Sequence, residues 1–160
     1  MIEVTGIEAI QAKLSELKTL GQDSEPIMHE IGNKIKNRIE QNFEEQGYYG
    51  QKWAPLKDPS SGYSGKRKGK SGKELKSFMD HISSRKILIR TGLLSKFTVQ
   101  ASSDEVTVGT NAWYGVFPQN GTKKMVARRF MPIDNNGNID PLMGGEIEAY
   151  LASKIKKIID

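Results

Sequence analysis

Apolar residues recur along this chain in two rhythms, and the change from one to the other marks its organisation. Ile7, Ile10, Leu14, Leu17 and Leu20 fall at steps of three and four, the period of an amphipathic helix. Thr5 and Glu8 have capping-box spacing at its start, and Gly21 ends it. A second helix is expected from Ser24 as N-cap, with Pro26 in the first turn, where a missing N–H costs nothing. Ile27, Ile31, Ile35, Ile39 and Phe43 stack along its face, and Gly47 closes it. Both stripes read as packing on the chain's own sheet. Helix 1, within residues 1–22, could equally swing out to a neighbour.

Beyond Gly47 the rhythm stops. Pro55 and Pro59 block regular structure, and residues 57–76 read as a flexible loop rich in Gly, Ser and Lys. Trp53, Pro55 and Leu56 form an apolar knot anchoring its start. Period-two alternation then predicts strands at Lys86–Arg90, Phe97–Ala101, Val106–Thr110 and Val126–Ile133, the middle pair forming a hairpin around Ser102–Glu105. Val99, Val106 and Val108 suit a buried face, while Thr98, Gln100 and Thr107 face outward. The helical period returns from Glu146 to Ile159, with Lys154, Lys156 and Lys157 near the negative C-terminal end. This order predicts one α+β domain over residues 1–160, a mostly antiparallel sheet with a hairpin packed by two or three amphipathic helices.

Length and composition agree with that outline. A chain of 160 residues can bury a real core. Its 36% hydrophobic and 27% charged residues, with no apolar run near the length of about 20 residues that spans a bilayer, give no membrane expectation. The N-terminal residues lack a basic-then-apolar secretory pattern, so the cytoplasm is the expected compartment. Without cysteine there are no disulfides, thiolate metal sites or cysteine nucleophiles. The net charge of +5 is uneven: ten basic residues face three acidic ones between Lys57 and Arg90. Lys66, Arg67, Lys68, Lys70 and Lys73 are therefore candidates for contact with DNA or an acidic partner. Tyr63 is the only aromatic ring in the loop 57–76, which favours phosphate attraction over base stacking.

Catalytic patterns fail one by one. His29-Glu30 lacks the second histidine of a zinc protease, since Asn33 holds that position. Gly69-Lys70-Ser71 lacks the leading glycine of a P-loop, because Ser64 stands there. Asp134, Asn136, Asn138 and Asp140 have the alternate spacing of a calcium loop, yet Ile139 replaces its glycine and Gly145 its closing glutamate. His81 beside Asp80 has no third group near it in sequence. No catalytic residue, metal ligand or cofactor is expected. Trp113, Tyr114 and Phe117, and the arginine-aromatic run Arg128, Arg129 and Phe130, have instead the composition of protein contacts. On a strand only one of the two arginines could face a given side, the other pairing internally or standing in solvent.

The order of these parts resembles the phage virion morphogenesis family, the tail-completion and Mu G-like proteins of tailed bacteriophages. The matching residues are Arg90 to Leu93, Val106 to Thr110, Trp113 and Tyr114, Gln119 and Gly121, then Ala127, Arg128 and Phe130. Trp53, Pro55 and Leu56 extend the likeness to roughly residues 27 to 159. Phe117-Pro118, Asn120 and Arg129 depart from the usual pattern. The resemblance implies a non-enzymatic protein of the tail terminus or neck that completes the tail and joins it to the head. It implies a ring of copies, six being the number that matches tail symmetry, in which Trp113, Tyr114, Phe117, Gln119, Arg128, Arg129 and Phe130 meet neighbours. Other expected partners are the tail tube or head–tail connector, and DNA through the basic loop. The alternative is a small nucleic-acid-binding module built on residues 57 to 90, and a hydrolase stands third.

Overall fold

The computed structural model describes residues 7–55, 86–89, 91–134 and 136–160. Helix α1 (Glu8–Thr19) buries Ile10 and Leu17 and ends in a Schellman turn. Gly21 there has φ +75°, with Gln22 N–H bonded to Leu17 O and Gly21 N–H to Lys18 O. Thr5 lies outside the described residues. Helix α2 (Ser24–Glu45) is capped by Asp23, one residue before the expected Ser24: the Asp23 carboxylate accepts Glu25 N–H at 3.1 Å, and Ser24 is buried. Its C-terminus also differs. Gln46, in the left-handed region at φ 53°, closes it, and its side-chain amide donates back to Phe43 O at 2.7 Å.

Gly47 has another use, as the first residue of a hairpin where a loop was expected. Strands β1 (Gly47–Tyr48) and β2 (Gln51–Lys52) pair antiparallel around Tyr49-Gly50, both with positive φ as a tight hairpin turn requires. A Cβ on Gly47 would stand 2.5 Å from Gln51 O, so only glycine lets the strands meet.

The expected central hairpin is present as β3 (Thr98–Ala101) and β4 (Val106–Gly109), with Val99 opposite Val108 and Ala101 opposite Val106. A 3-10 turn at Trp113–Gly115 leads into the short helix α3 (Val116–Asn120). Helix α4 runs Pro141–Ile159, starting five residues before the periodicity implied because Asp140 caps it and Pro141 occupies its first turn. Among the described residues, four helices and two small antiparallel hairpins make the fold α+β.

Two expected strands do not form among the described residues. Lys86–Ile89 is a turn with Leu88 at φ 62°, and Arg90 lies outside the described residues. The Gln46 side chain does there what a strand partner would do, accepting Ile87 N–H and donating to Ile87 O. Val126–Ile133 bends at Met131 and Pro132 and joins no ladder, apart from an isolated bridge between Ile133 and Ile139.

Helix α2 is the spine between two apolar clusters. One side packs against α1 and α4 through Leu17, Ile27, Ile31, Ile147 and Leu151, so α1 lies on the body of the protein. Phe43 centres the other, with ring centroids 5.3 Å from Phe130, 5.5 Å from Trp53 and 6.4 Å from Phe97. Between them the β3–β4 hairpin comes so close that a Cβ on Gly32 would stand 2.4 Å from Val99 Cγ1 and 2.7 Å from Val106 Cγ2.

Candidate functional site

The 3-10 turn and α3 place their large side chains by a few local constraints. Thr110 Oγ1 donates to Leu93 O and accepts Ala112 N–H, fixing the turn against the Gly92–Leu94 corner. Gly115 permits that approach, since a Cβ there would be 2.9 Å from Leu94 Cδ1. The outer side is left apolar. Trp113 is 80% exposed and Phe117 45% exposed, their rings edge to face with centroids 6.1 Å apart. Trp113 also meets the half-buried Tyr114 at 6.0 Å. Exposed Leu93, Val116 and Val126 belong to the same part of the chain. A 720 Å³ groove opens beside this helix, lined among the described residues by Leu88, Ile89, Leu93, Tyr114, Phe117 and Met125 with others.

Gln119, Arg128 and Phe130 turn inward. Phe130 is 1% exposed and fills the core. Gln119, 5% exposed, uses its whole amide on residues 130–133: Oε1 accepts the N–H groups of Phe130 and Met131, both at 3.0 Å, and Nε2 donates to Met131 O and Ile133 O, both at 3.2 Å. Asn42 Nδ2 donates to Phe130 O at 3.0 Å, and Trp53 Nε1 to Arg129 O at 2.7 Å. Pro118 O accepts Arg128 N–H at 2.7 Å. Distant side chains thus supply what a neighbouring strand would have given. Arg128 itself is 7% exposed, donating to Ala54 O at 2.8 Å and Pro55 O at 2.9 Å. Gly121, at φ 76°, closes the knot where a Cβ would stand 2.9 Å from Ala127 N.

Arg129 is half-buried at a second cluster. Its guanidinium lies 4.9 Å from the Tyr48 ring centroid, donates to Ile133 O at 2.6 Å and approaches Asp140 Oδ2 at 3.9 Å. Tyr48 donates its hydroxyl to the same Asp140 oxygen at 2.7 Å. Burial first, then that carboxylate, push the Tyr48 phenol well above its usual value. Sequence spacing had no means of finding this group, because Tyr48 reaches Asp140 across 92 positions.

Of the sequence-expected contact set, then, Trp113, Tyr114 and Phe117 stand together at the surface. Gln119, Arg128 and Phe130 are structural, and Arg129 is held inside the chain. Lys66, Arg67, Lys68, Lys70 and Lys73 lie outside the described residues, as does His81. His29 shares a 3.0 Å hydrogen bond with Asn33 on an exposed helical face. Asp134 is no cation ligand in waiting: its carboxylate accepts Asn136 and Asn138 N–H and the Asn138 side chain, the last of which chiefly holds its carboxyl below the usual range. Among the described residues no cluster of three acidic or histidine side chains could hold a metal.

The buried Gln119–Gly121 and Arg128–Phe130 knot carries much of the motif order, and the profile described as the phage virion morphogenesis family matches residues 5–138. The chain belongs to the phage virion morphogenesis family. The match takes in α1, which the residue-by-residue likeness left out, and stops before α4. Membership gives the protein a structural role in building the phage particle. No curated protein and no solved structure matches the chain. No described helix is long and apolar enough to cross a membrane.

Proposed function

We propose that this member of the virion morphogenesis family completes the tail and joins it to the head, acting at the tail terminus or neck as a ring of copies. The observation that carries this reading is the exposed aromatic face of Trp113 and Phe117 in a chain whose family builds virions. Apolar rings of this size, left in water by the fold, are the usual anchors of protein contacts. The β3–β4 hairpin adds a second contact device, because among the described residues it pairs with no third strand and its outer edges carry backbone groups suited to pairing. Head-to-tail contacts of this kind close into rings when the rotation between copies closes, and six copies would match tail symmetry. The mechanism is fit between surfaces, with no bond made or broken and no cofactor. The protein would work in the bacterial host cytoplasm during assembly and remain in the particle, against the tail tube or connector.

Size-exclusion chromatography with light scattering, followed by negative-stain imaging, tests the ring. In a phage deleted for this chain, unjoined heads and tails are expected, and joined particles with normal tails would overturn the assignment. Steady turnover of ester, phosphoester or peptide substrates by purified protein would overturn the non-enzymatic reading. A second role is favoured by the ten basic residues against three acidic ones in 57–90, namely contact with DNA in the tail channel. Such binding would weaken steeply between low and moderate salt.

A further inference from the structure

Helix α4 carries two stripes. Met143, Ile147, Leu151 and Ile155 bury one face in the core. On the other side Leu142, Gly145, Ala149, Ala152, Lys156 and Ile159 follow at alternating steps of three and four, the spacing of a coiled-coil seam. All six are exposed, Leu142 to 58% and Ile159 to 65%. A helix face turned only to water is normally polar, and this one has a single polar residue, Lys156. Gly145 is the sharper sign. A glycine inside a helix costs about 1 kcal/mol relative to alanine, yet a Cβ there would meet nothing within 4 Å among the described residues.

We infer that this stripe seats the same stripe of a second copy, the two α4 helices lying antiparallel about a two-fold axis. Turned end for end, the stripe matches itself: Leu142 comes opposite Ile159, Gly145 opposite Lys156 and Ala149 opposite Ala152. Large apolar side chains meet at both ends, the lysine stem lies over the glycine, and facing alanines let the helix axes approach to about 8 Å. Charge selects the same direction. Glu146 and Glu148 stand in the first half of the helix and Lys154, Lys156 and Lys157 in the second, so antiparallel pairing sets acid against base. Parallel pairing would stack Lys156 on Lys156. Glu148, Lys156 and Lys157 form no ion pair among the described residues, and Glu148, one turn beyond Gly145, is placed to receive the Lys156 ammonium of the second copy. The contact closes with two copies, unlike the head-to-tail contacts of a ring, and does not rest on the assembly reading above. A single helix pair is a small interface, under about 1,200 Å² in all, so the association is reversible.

The chain has no cysteine, so introduced cysteines report the pairing without background. Leu142→Cys mixed with Ile159→Cys under mild oxidation is expected to give the mixed disulfide dimer at several times the yield of either variant with itself. A parallel pair would reverse that pattern. Light scattering of Trp113→Ala, in which the aromatic face is cut back, is expected to show dimers that dissociate on dilution. Adding Ala152→Glu sets carboxylates against the facing alanines and should weaken the dimer about tenfold or more. Thermal melts of diluted, monomeric protein should be unchanged by it, because position 152 stands in water. Gly145→Leu should also block pairing by filling the place of the lysine stem, while raising the melting temperature, since leucine favours the helix.

A monomer at every concentration would overturn the inference. So would cross-linking of each cysteine variant with itself in place of the mixed product, or a dimer indifferent to both Ala152→Glu and Gly145→Leu.

Discussion

Gln119 holds Phe130 through its backbone: the side-chain oxygen accepts the Phe130 N–H at 3.0 Å, and both residues are buried. The amide saturates all four of its hydrogen-bonding positions on residues 130–133, so replacement should unseat the whole segment. Gln119→Leu leaves buried N–H and C=O groups without partners, at about 1–3 kcal/mol each, and denaturant melts should show a loss of roughly 2–5 kcal/mol. Gln119→Glu keeps the acceptors but points charge at two carbonyls. Its stability should recover as pH falls and the carboxyl gains a proton to donate; a loss independent of pH would refute this account.

Gly32 is the point where α2 and the β3–β4 hairpin touch. Gly32→Ala would press a methyl into Val99 and Val106, and overpacking of this kind costs about 1–3 kcal/mol, exceeding alanine's gain in helix propensity of roughly 1 kcal/mol. Val99→Ala in the same chain should restore part of the loss, and a double-mutant cycle measures the coupling. Additive losses would mean that the hairpin simply moves aside.

What could be read in the sequence depended on whether partners were local. The stripes of α1 and α2 and the valines of the β3–β4 hairpin follow from period alone, since each element buries a face whatever lies opposite. The Val126–Ile133 stretch alternates like a strand, but its partners are the side chains of Asn42, Trp53 and Gln119 from three other places in the chain. No periodicity encodes that. The same blindness made Arg128 resemble a contact residue, when its guanidinium is spent on the carbonyls of Ala54 and Pro55. Trp113 and Phe117 stood out by residue type as candidates for contact, and both are exposed on the 3-10 turn and the short helix that follows it.

The two tryptophans should separate stability from assembly. Trp53→Phe removes the hydrogen bond to Arg129 O and part of a core ring, at about 1–3 kcal/mol by thermal or denaturant unfolding. Trp113→Ala, largely in water, should stay within about 0.5 kcal/mol of the parent. Only the second should lower the yield of joined particles when the purified protein is added to extracts lacking it. An unchanged yield would remove Trp113 from the contact surface.

Tyr48 makes the chain sensitive to alkali. Its phenol donates to the Asp140 carboxylate, and ionisation would set two anions at hydrogen-bond distance in a half-buried place. The folded state therefore keeps the proton to a higher pH than the unfolded chain, whose tyrosines release it near 10.0. With a raised folded value, the contribution is fully present below that pH and lost as pH rises beyond it. Tyr49, pushed up to about 12 chiefly by burial, acts in the same direction. Unfolding free energy should thus be level up to about pH 9 and decline above 10, with tyrosinate absorbance appearing together with loss of structure. Tyr48→Phe should flatten that decline by close to one proton while lowering stability at neutral pH by about 1 kcal/mol, the worth of one hydrogen bond to a charged group after solvent screening. An unchanged slope in Tyr48→Phe would place the alkaline sensitivity elsewhere and leave the Tyr48–Asp140 contact without weight in folding.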